Sequence, residues 1–197
     1  TPRATAGLQD TIHEVVNGLI DRVEEDGRCD IVTDIARPYP TPIICALIGA
    51  PREDWHLFAD WTEEIFKAFN FSTEVTFDES EIMRAWGELD AYVDGMVAAR
   101  RDSLTNDLLS ELIRAESDGD RLNADELRGL VAGFLMAGTD TTRNQLAASV
   151  QVLCEHPDQW AKLRDHPELA MQAVEESMRH SPAACIVPRA ATQDAVF

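Results

Sequence analysis

The chain has 197 residues, 45% of them hydrophobic and 27% charged, a balance that describes a folded globular chain and excludes disordered and fibrous classes. Seventeen Lys and Arg stand against 36 Asp and Glu, and a formal charge of −19 repels phosphate backbones and anionic lipid, which excludes nucleic acid and membrane surfaces as expected partners.

Helical periodicity dominates in chain order, and Pro or Gly marks nearly every break. Leu8, Ile12, Val15, Val16, Leu19, Ile20 and Val23 recur at three and four, which predicts an amphipathic helix closed near Gly27. After the proline-rich RPYPTP a short apolar helix is predicted from Ile43 to a Gly49 stop. The next, over 52–69, carries Trp55, Phe58, Trp61, Ile65 and Phe69 on one side. The loop NFSTEVTFDES leads to a helix over about 79–101 with Ile82, Trp86, Leu89, Val93 and Val97 as its buried stripe. NDLLSELIRAE forms a shorter helix before the turn SDGDR.

A long helix then opens at Asn123, with Glu126 three residues on in capping-box spacing. Its core-facing stripe is expected to be Leu127, Leu130, Val131, Phe134, Leu135, Gly138, Thr141 and Thr142, continuing to Leu146, Ser149 and Leu153. HPDQW reads as a break, Pro167 opens a last helix with the stripe Leu169, Val174 and Met178, and only ACIVPRAATQDAVF looks extended. The expected fold is therefore mainly α, with little β at the C-terminal end.

No apolar run reaches the roughly 20 residues of a membrane-spanning helix, and TPRATAGLQD lacks a signal-peptide core, so a cytoplasmic protein is expected. Cys29, Cys45, Cys154 and Cys185 show no C-x-x-C spacing, which predicts buried or half-buried thiols and no disulfide. The five histidines lack ligand spacing, and Cys154 and His156 point to different sides of a helix, so no metal ligands are expected in this chain.

The motif AGTDTT, residues 137–142, falls within the long helix, where Gly costs about 1 kcal/mol relative to Ala and each β-branched Thr a few tenths. Two explanations offset that cost. In one, Gly138 admits a neighbouring element and each Thr hydroxyl bonds back to the carbonyl four residues earlier. In the other, the helix face opens to a flat ligand, a diverted hydroxyl leaves a local widening, and Asp140 supplies protons beside Thr141.

The motif is followed in order by an E-x-x-R pair, Glu176 and Arg179, then SP, then Arg189, Ala191 and Asp194 in an R-x-A-x-x-D-like stretch. In this order the sequence resembles the soluble bacterial cytochrome P-450 heme-thiolate monooxygenases. The resemblance implies a multi-helix fold whose long central helix lies over heme b. It implies that Ala137 and Gly138 leave room for dioxygen, that Thr141 relays protons and that Asp140 feeds the relay. It further makes Glu176 and Arg179 a structural ion pair, Arg189 a partner of a heme propionate, and Gly133, Met136, Phe69, Phe71, Ala184 and Cys185 substrate contacts. The implied partners are a hydrophobic small molecule such as a fatty acid, terpenoid or steroid, O2 and a ferredoxin-type electron donor.

The family's axial cysteine sits in an F-x-x-G-x-x-x-C-x-G loop that these residues do not contain, and Cys185 lacks its glycine framing. Residues 1–197 therefore read as the central helical part of a single cytochrome P-450 domain, truncated at both ends and inactive alone. Apolar surface left open by truncation favours an oligomer. Two rival readings are a heme-free helical ligand-binding or interaction module of the same fold and an asparaginase-like amidohydrolase. The second lacks the β-strand context and the second Thr motif that GTDT needs.

Overall fold

A computed structural model describes residues 7–69, 78–117, 122–185 and 193. Among them all regular structure is helical: α1 (Gln9–Glu24), α2 (Pro40–Ile48), α3 (Trp55–Phe66), α4 (Glu79–Arg101), α5 (Leu108–Ser117), α6 (Ala124–Glu155), α7 (Pro157–Asp165) and α8 (Ala170–His180). The expected β at the C-terminal end falls largely on 186–197, of which only residue 193 is described. The chain forms two compact units, Thr1–Arg143 and Asn144–Phe197, and α6 contributes to both.

The first unit is built on the hairpin of α3 and α4. Phe58 and Ile65 on α3, seven residues apart, and Leu89 and Val93 on α4, four apart, are fully buried, at spacings that put each pair on one helix face. Phe58 meets Trp61 and Tyr92 edge-on, with ring centroids 5.4 and 5.1 Å away, and Trp61 Nε1 donates to Glu88 at 2.9 Å. Tyr92 donates its hydroxyl to Asp54, and burial, reinforced by that carboxylate, pushes the phenol pKa up. Asp78 caps α4 by accepting the Ser80 amide at 2.9 Å.

Two segments differ from the sequence expectation here. Helix α2 begins at Pro40, three residues before Ile43, because proline is pre-set for the first helical position and needs no amide partner there. Before it, Ile31–Ala36 forms a π-helical turn: Asp30 Oδ1 accepts the amides of Val32 and Thr33 at 2.9 and 3.1 Å, and the Arg37 amide reaches back to the Val32 carbonyl. Cys45 alone of the four free cysteines is buried, which raises its thiol pKa to about 12; Cys29, Cys154 and Cys185 are exposed. The expectation of buried thiols therefore fails at three positions, none of which lies on a packed helix face.

The start of α5 ties three segments together. Asp107 accepts the Ser110 amide at 2.8 Å and the Thr105 hydroxyl at 2.8 Å and pairs with Arg100, whose other nitrogen donates to the Gly49 carbonyl at 3.0 Å. Burial by itself raises the Asp107 pKa, but the hydrogen bonds from Ser110 and Thr105 and the charge of Arg100 outweigh it and hold the carboxyl below its usual value. A depressed carboxyl contributes stability that is complete above its unfolded pKa of about 3.9 and is lost as pH falls through the lower folded value. Asp107→Asn is therefore expected to lower stability at neutral pH and to flatten the acid limb of the stability curve below about pH 4. Urea midpoints measured across pH check this, and parallel curves for variant and parent would refute it.

In the second unit α7 replaces the expected break at HPDQW, with Pro157 at its first position. Pro167–Leu169 is a 3-10 turn, and α8 follows it. The expected α8 stripe is corrected: Val174 and Met178 are 50% and 36% exposed, whereas Ser177 is buried. Small side chains let α8 approach α6, and the hydroxyls of Ser149 and Ser177 meet at 2.7 Å. Gln145 fastens the end of α8, donating to the Ser181 carbonyl at 3.2 Å and accepting the Ala183 amide at 2.9 Å.

Candidate functional site

The site is the open face of α6. The helix starts where the sequence places it, in a reciprocal capping box: Asn123 Oδ1 accepts the Glu126 amide at 2.9 Å, and Glu126 accepts the Asn123 amide at 2.8 Å. Its buried residues are Leu127, Val131, Ala132, Leu135, Met136 and Thr139, so the expected stripe is corrected in part. Leu130 and Phe134 are 39% and 38% exposed, and Thr141 and Thr142 are exposed as well. The apolar band of α6 is wider than one packed face: the 127–131–135 edge enters the core, and the 130–134 edge stays open.

That open edge continues through the motif. Leu130, Gly133, Phe134, Ala137 and Thr141 recur at three and four and share one side of the helix, all exposed. Nothing lies within 4 Å of where a Gly133 Cβ would stand, so the face is lowest there. Thr141 Oγ1 donates to the Ala137 carbonyl at 2.8 Å. Asp140 is half-buried and accepts from Arg143 at 2.5 Å.

The two explanations of the motif are separable in this geometry. The helix is α-helical throughout Ala124–Glu155, without a widened turn, and the hydroxyls of Thr139 and Thr141 bond back to the carbonyls of Leu135 and Ala137 at 2.9 and 2.8 Å. The space at Gly138 is taken by Ile44 of α2, whose Cδ1 would lie 2.4 Å from an added Cβ. Gly138 thus serves close packing, and the small residues facing open space are Gly133 and Ala137.

The other expected site residues scatter. Met136 is packed in the core cluster of the first unit, away from the open face. Ala184 and Cys185 are exposed in the second unit. The Phe69 side chain, Phe71 and Arg189 lie outside the described residues. Glu176 and Arg179 form a two-point ion pair, Nε to Oε2 at 2.8 Å and Nη2 to Oε1 at 2.6 Å, and the guanidinium hydrogen bond holds the Glu176 carboxyl below its usual pKa. Sequence reasoning missed Ile44 and Arg143 as neighbours of the motif. Arg143 was findable from its i,i+3 spacing to Asp140.

Among the described residues no helix is long and apolar enough to cross a membrane. The sequence profile of the cytochrome P-450 family matches residues 4–197. The chain is 37% identical over 185 residues to luteothin monooxygenase of Streptomyces thioluteus, covering 92% of this chain and 44% of that protein. It is 36% identical over 183 residues to nocardicin C N-oxygenase of Nocardia uniformis, again over 92% of this chain and 44% of the relative. The crystal structure of the LnmA cytochrome P-450 hydroxylase of Streptomyces atroolivaceus superposes with a TM-score of 0.80 at 39% identity, covering 91% of this chain and 45% of that one. The chain thus spans about half the length of the curated relatives it matches. With the family profile matched along nearly its whole length and relatives more than 30% identical over nine-tenths of it, this chain belongs to the cytochrome P-450 family.

Proposed function

We propose that this chain supplies the oxygen-side helix of a heme-dependent monooxygenase that inserts one atom of O2 into a hydrophobic small molecule. The observation that carries the reading is the open stripe Leu130, Gly133, Phe134, Ala137 and Thr141, which combines apolar flanks, two small residues and one hydroxyl. Such a low apolar face fits one side of a flat macrocycle, and the group, when bound, supplies the oxygen chemistry. The residues present fit that side only, because the thiolate loop expected for the iron is not among them.

The chain's own part is to shape and protonate. Gly133 and Ala137 keep side-chain volume off the face, and Leu130 and Phe134 exclude water from its edge. Thr141 Oγ holds a proton that it now shares with the Ala137 carbonyl, and both of its lone pairs remain able to accept. Asp140, the preceding residue of the same turn, relays protons from solvent water to that hydroxyl: its carboxylate, held in this structure by Arg143, takes up a proton from water before passing one on. Glu176 and Arg179 act as a structural pair and Arg189 as a propionate partner. A ferredoxin-type protein donates the electrons.

Reading the gene on past the codon for Phe197 and recording a carbon-monoxide difference spectrum of the longer product tests this proposal. The expected result is a cysteine loop of the F-x-x-G-x-x-x-C-x-G kind and the strongly red-shifted Soret band of a thiolate-ligated heme. A longer product that takes up no heme would refute it.

A further inference from the structure

Of the described glycines inside helices, Gly138 alone has a neighbour where its Cβ would stand: Ile44 Cδ1 at 2.4 Å and Cγ1 at 2.7 Å. Threonine hydroxyls soften the turn around it. The carbonyls of Leu135, Met136 and Ala137 each accept a threonine hydroxyl, from Thr139 at 2.9 and 3.2 Å and from Thr141 at 2.8 Å. Such back-bonding competes with the amide ladder and favours bending. Gly138 adds backbone freedom at the centre of this turn. The prop against it comes from another helix, where Ile44, half-buried on α2, lies against the bare backbone.

We propose that Ile44 is a positioning residue for the Asp140 and Thr141 turn: seated on Gly138, it braces the hydroxyl-loaded stretch 135–141 in the closed α-helical form that aims Ala137 and Thr141 at the open face. The consequence for oxygen chemistry rests on the function proposed above. The bracing itself does not.

The test is site-resolved amide hydrogen exchange on the full chain. In an α-helix the amides of Thr141 and Thr142 donate to the carbonyls of residues 137 and 138. Ile44→Ala is expected to speed exchange at these two amides about tenfold or more, while amides at 128–132 of the same helix keep their rates. Ile48→Val serves as the control, since Ile48 is fully buried on the same helix and the three atoms nearest the Gly138 Cβ position all belong to Ile44. It lowers stability without singling out 141 and 142. Adding Gly138→Ala to Ile44→Ala returns a methyl to the vacated space and is expected to slow exchange again, whereas Gly138→Ala alone is destabilising. Unchanged exchange at 141 and 142 in Ile44→Ala, or acceleration spread evenly along α6, overturns the proposal.

In the longer heme-bound product the same variant is expected to keep the carbon-monoxide spectrum and to release severalfold more of the consumed O2 as hydrogen peroxide. A normal spectrum with unchanged exchange sinks the Ile44 role alone. Absent heme uptake together with faster local exchange sinks the oxygenase reading and leaves the brace standing.

Discussion

Replacing Gly49 by alanine is expected to destabilise the first unit by about 3 kcal/mol, the sum of left-handed backbone strain and a broken polar cluster. Gly49 ends α2 at φ +89°, the left-handed conformation that glycine adopts without steric cost, and its amide closes the last turn on the Cys45 carbonyl at 2.9 Å. An added Cβ would lie 2.2 Å from Asp107 Oδ2. Asp107 would have to move, and with it the Ser110 amide it caps, the Thr105 hydroxyl and the Arg100 guanidinium that also holds the Gly49 carbonyl. Urea unfolding followed by circular dichroism measures the effect, with the loss appearing as a lower midpoint at unchanged slope. Gly27→Ala is the comparison. Gly27 also has positive φ, at 61°, but nothing lies within 4 Å of its Cβ position, so it should show the backbone part alone. Equal losses at the two glycines would show that the Asp107 cluster carries none of the difference.

Thr141→Ala in the longer heme-bound product is expected to lower product formed per O2 consumed by about a hundredfold, the usual lower bound for removing a positioned proton donor. The hydroxyl is the sole polar group among Leu130, Gly133, Phe134, Ala137 and Thr141, and no other side chain of that stripe can carry its proton. Thr141→Ser keeps the oxygen and is expected to retain most of the yield. Thr142→Ala, also on an exposed residue of the motif, is expected to change it little. An alanine variant at 141 that matches the parent in yield would remove Thr141 from the mechanism and leave the open face as a binding surface only.

What the sequence determined by itself is local. The capping box of Asn123 and Glu126, the span of α4, the αL stop at Gly49 and the ion pair of Glu176 with Arg179 all join residues within a few positions of one another. Helical spacing and side-chain chemistry decide such contacts before any tertiary packing exists. The order of AGTDTT and E-x-x-R likewise identified the family, because that pattern is carried by the chain itself.

Only the tertiary structure decided which edge of α6 is covered. Leu127, Leu130, Val131, Phe134 and Leu135 are all apolar, and periodicity cannot say that 127, 131 and 135 enter the core while 130 and 134 remain open. That choice belongs to the shared core the edge joins, built with Cys45 and Ile48 of α2, Phe58 and Ile65 of α3, Leu89 and Val93 of α4 and Leu109 and Ile113 of α5. The same holds for Ile44 on Gly138 and for Ser149 against Ser177, where each partner comes from a distant stretch of chain. A glycine or a serine on a helix records that something approaches closely. The identity of the approaching residue is fixed by the packing of whole helices, which no local window contains.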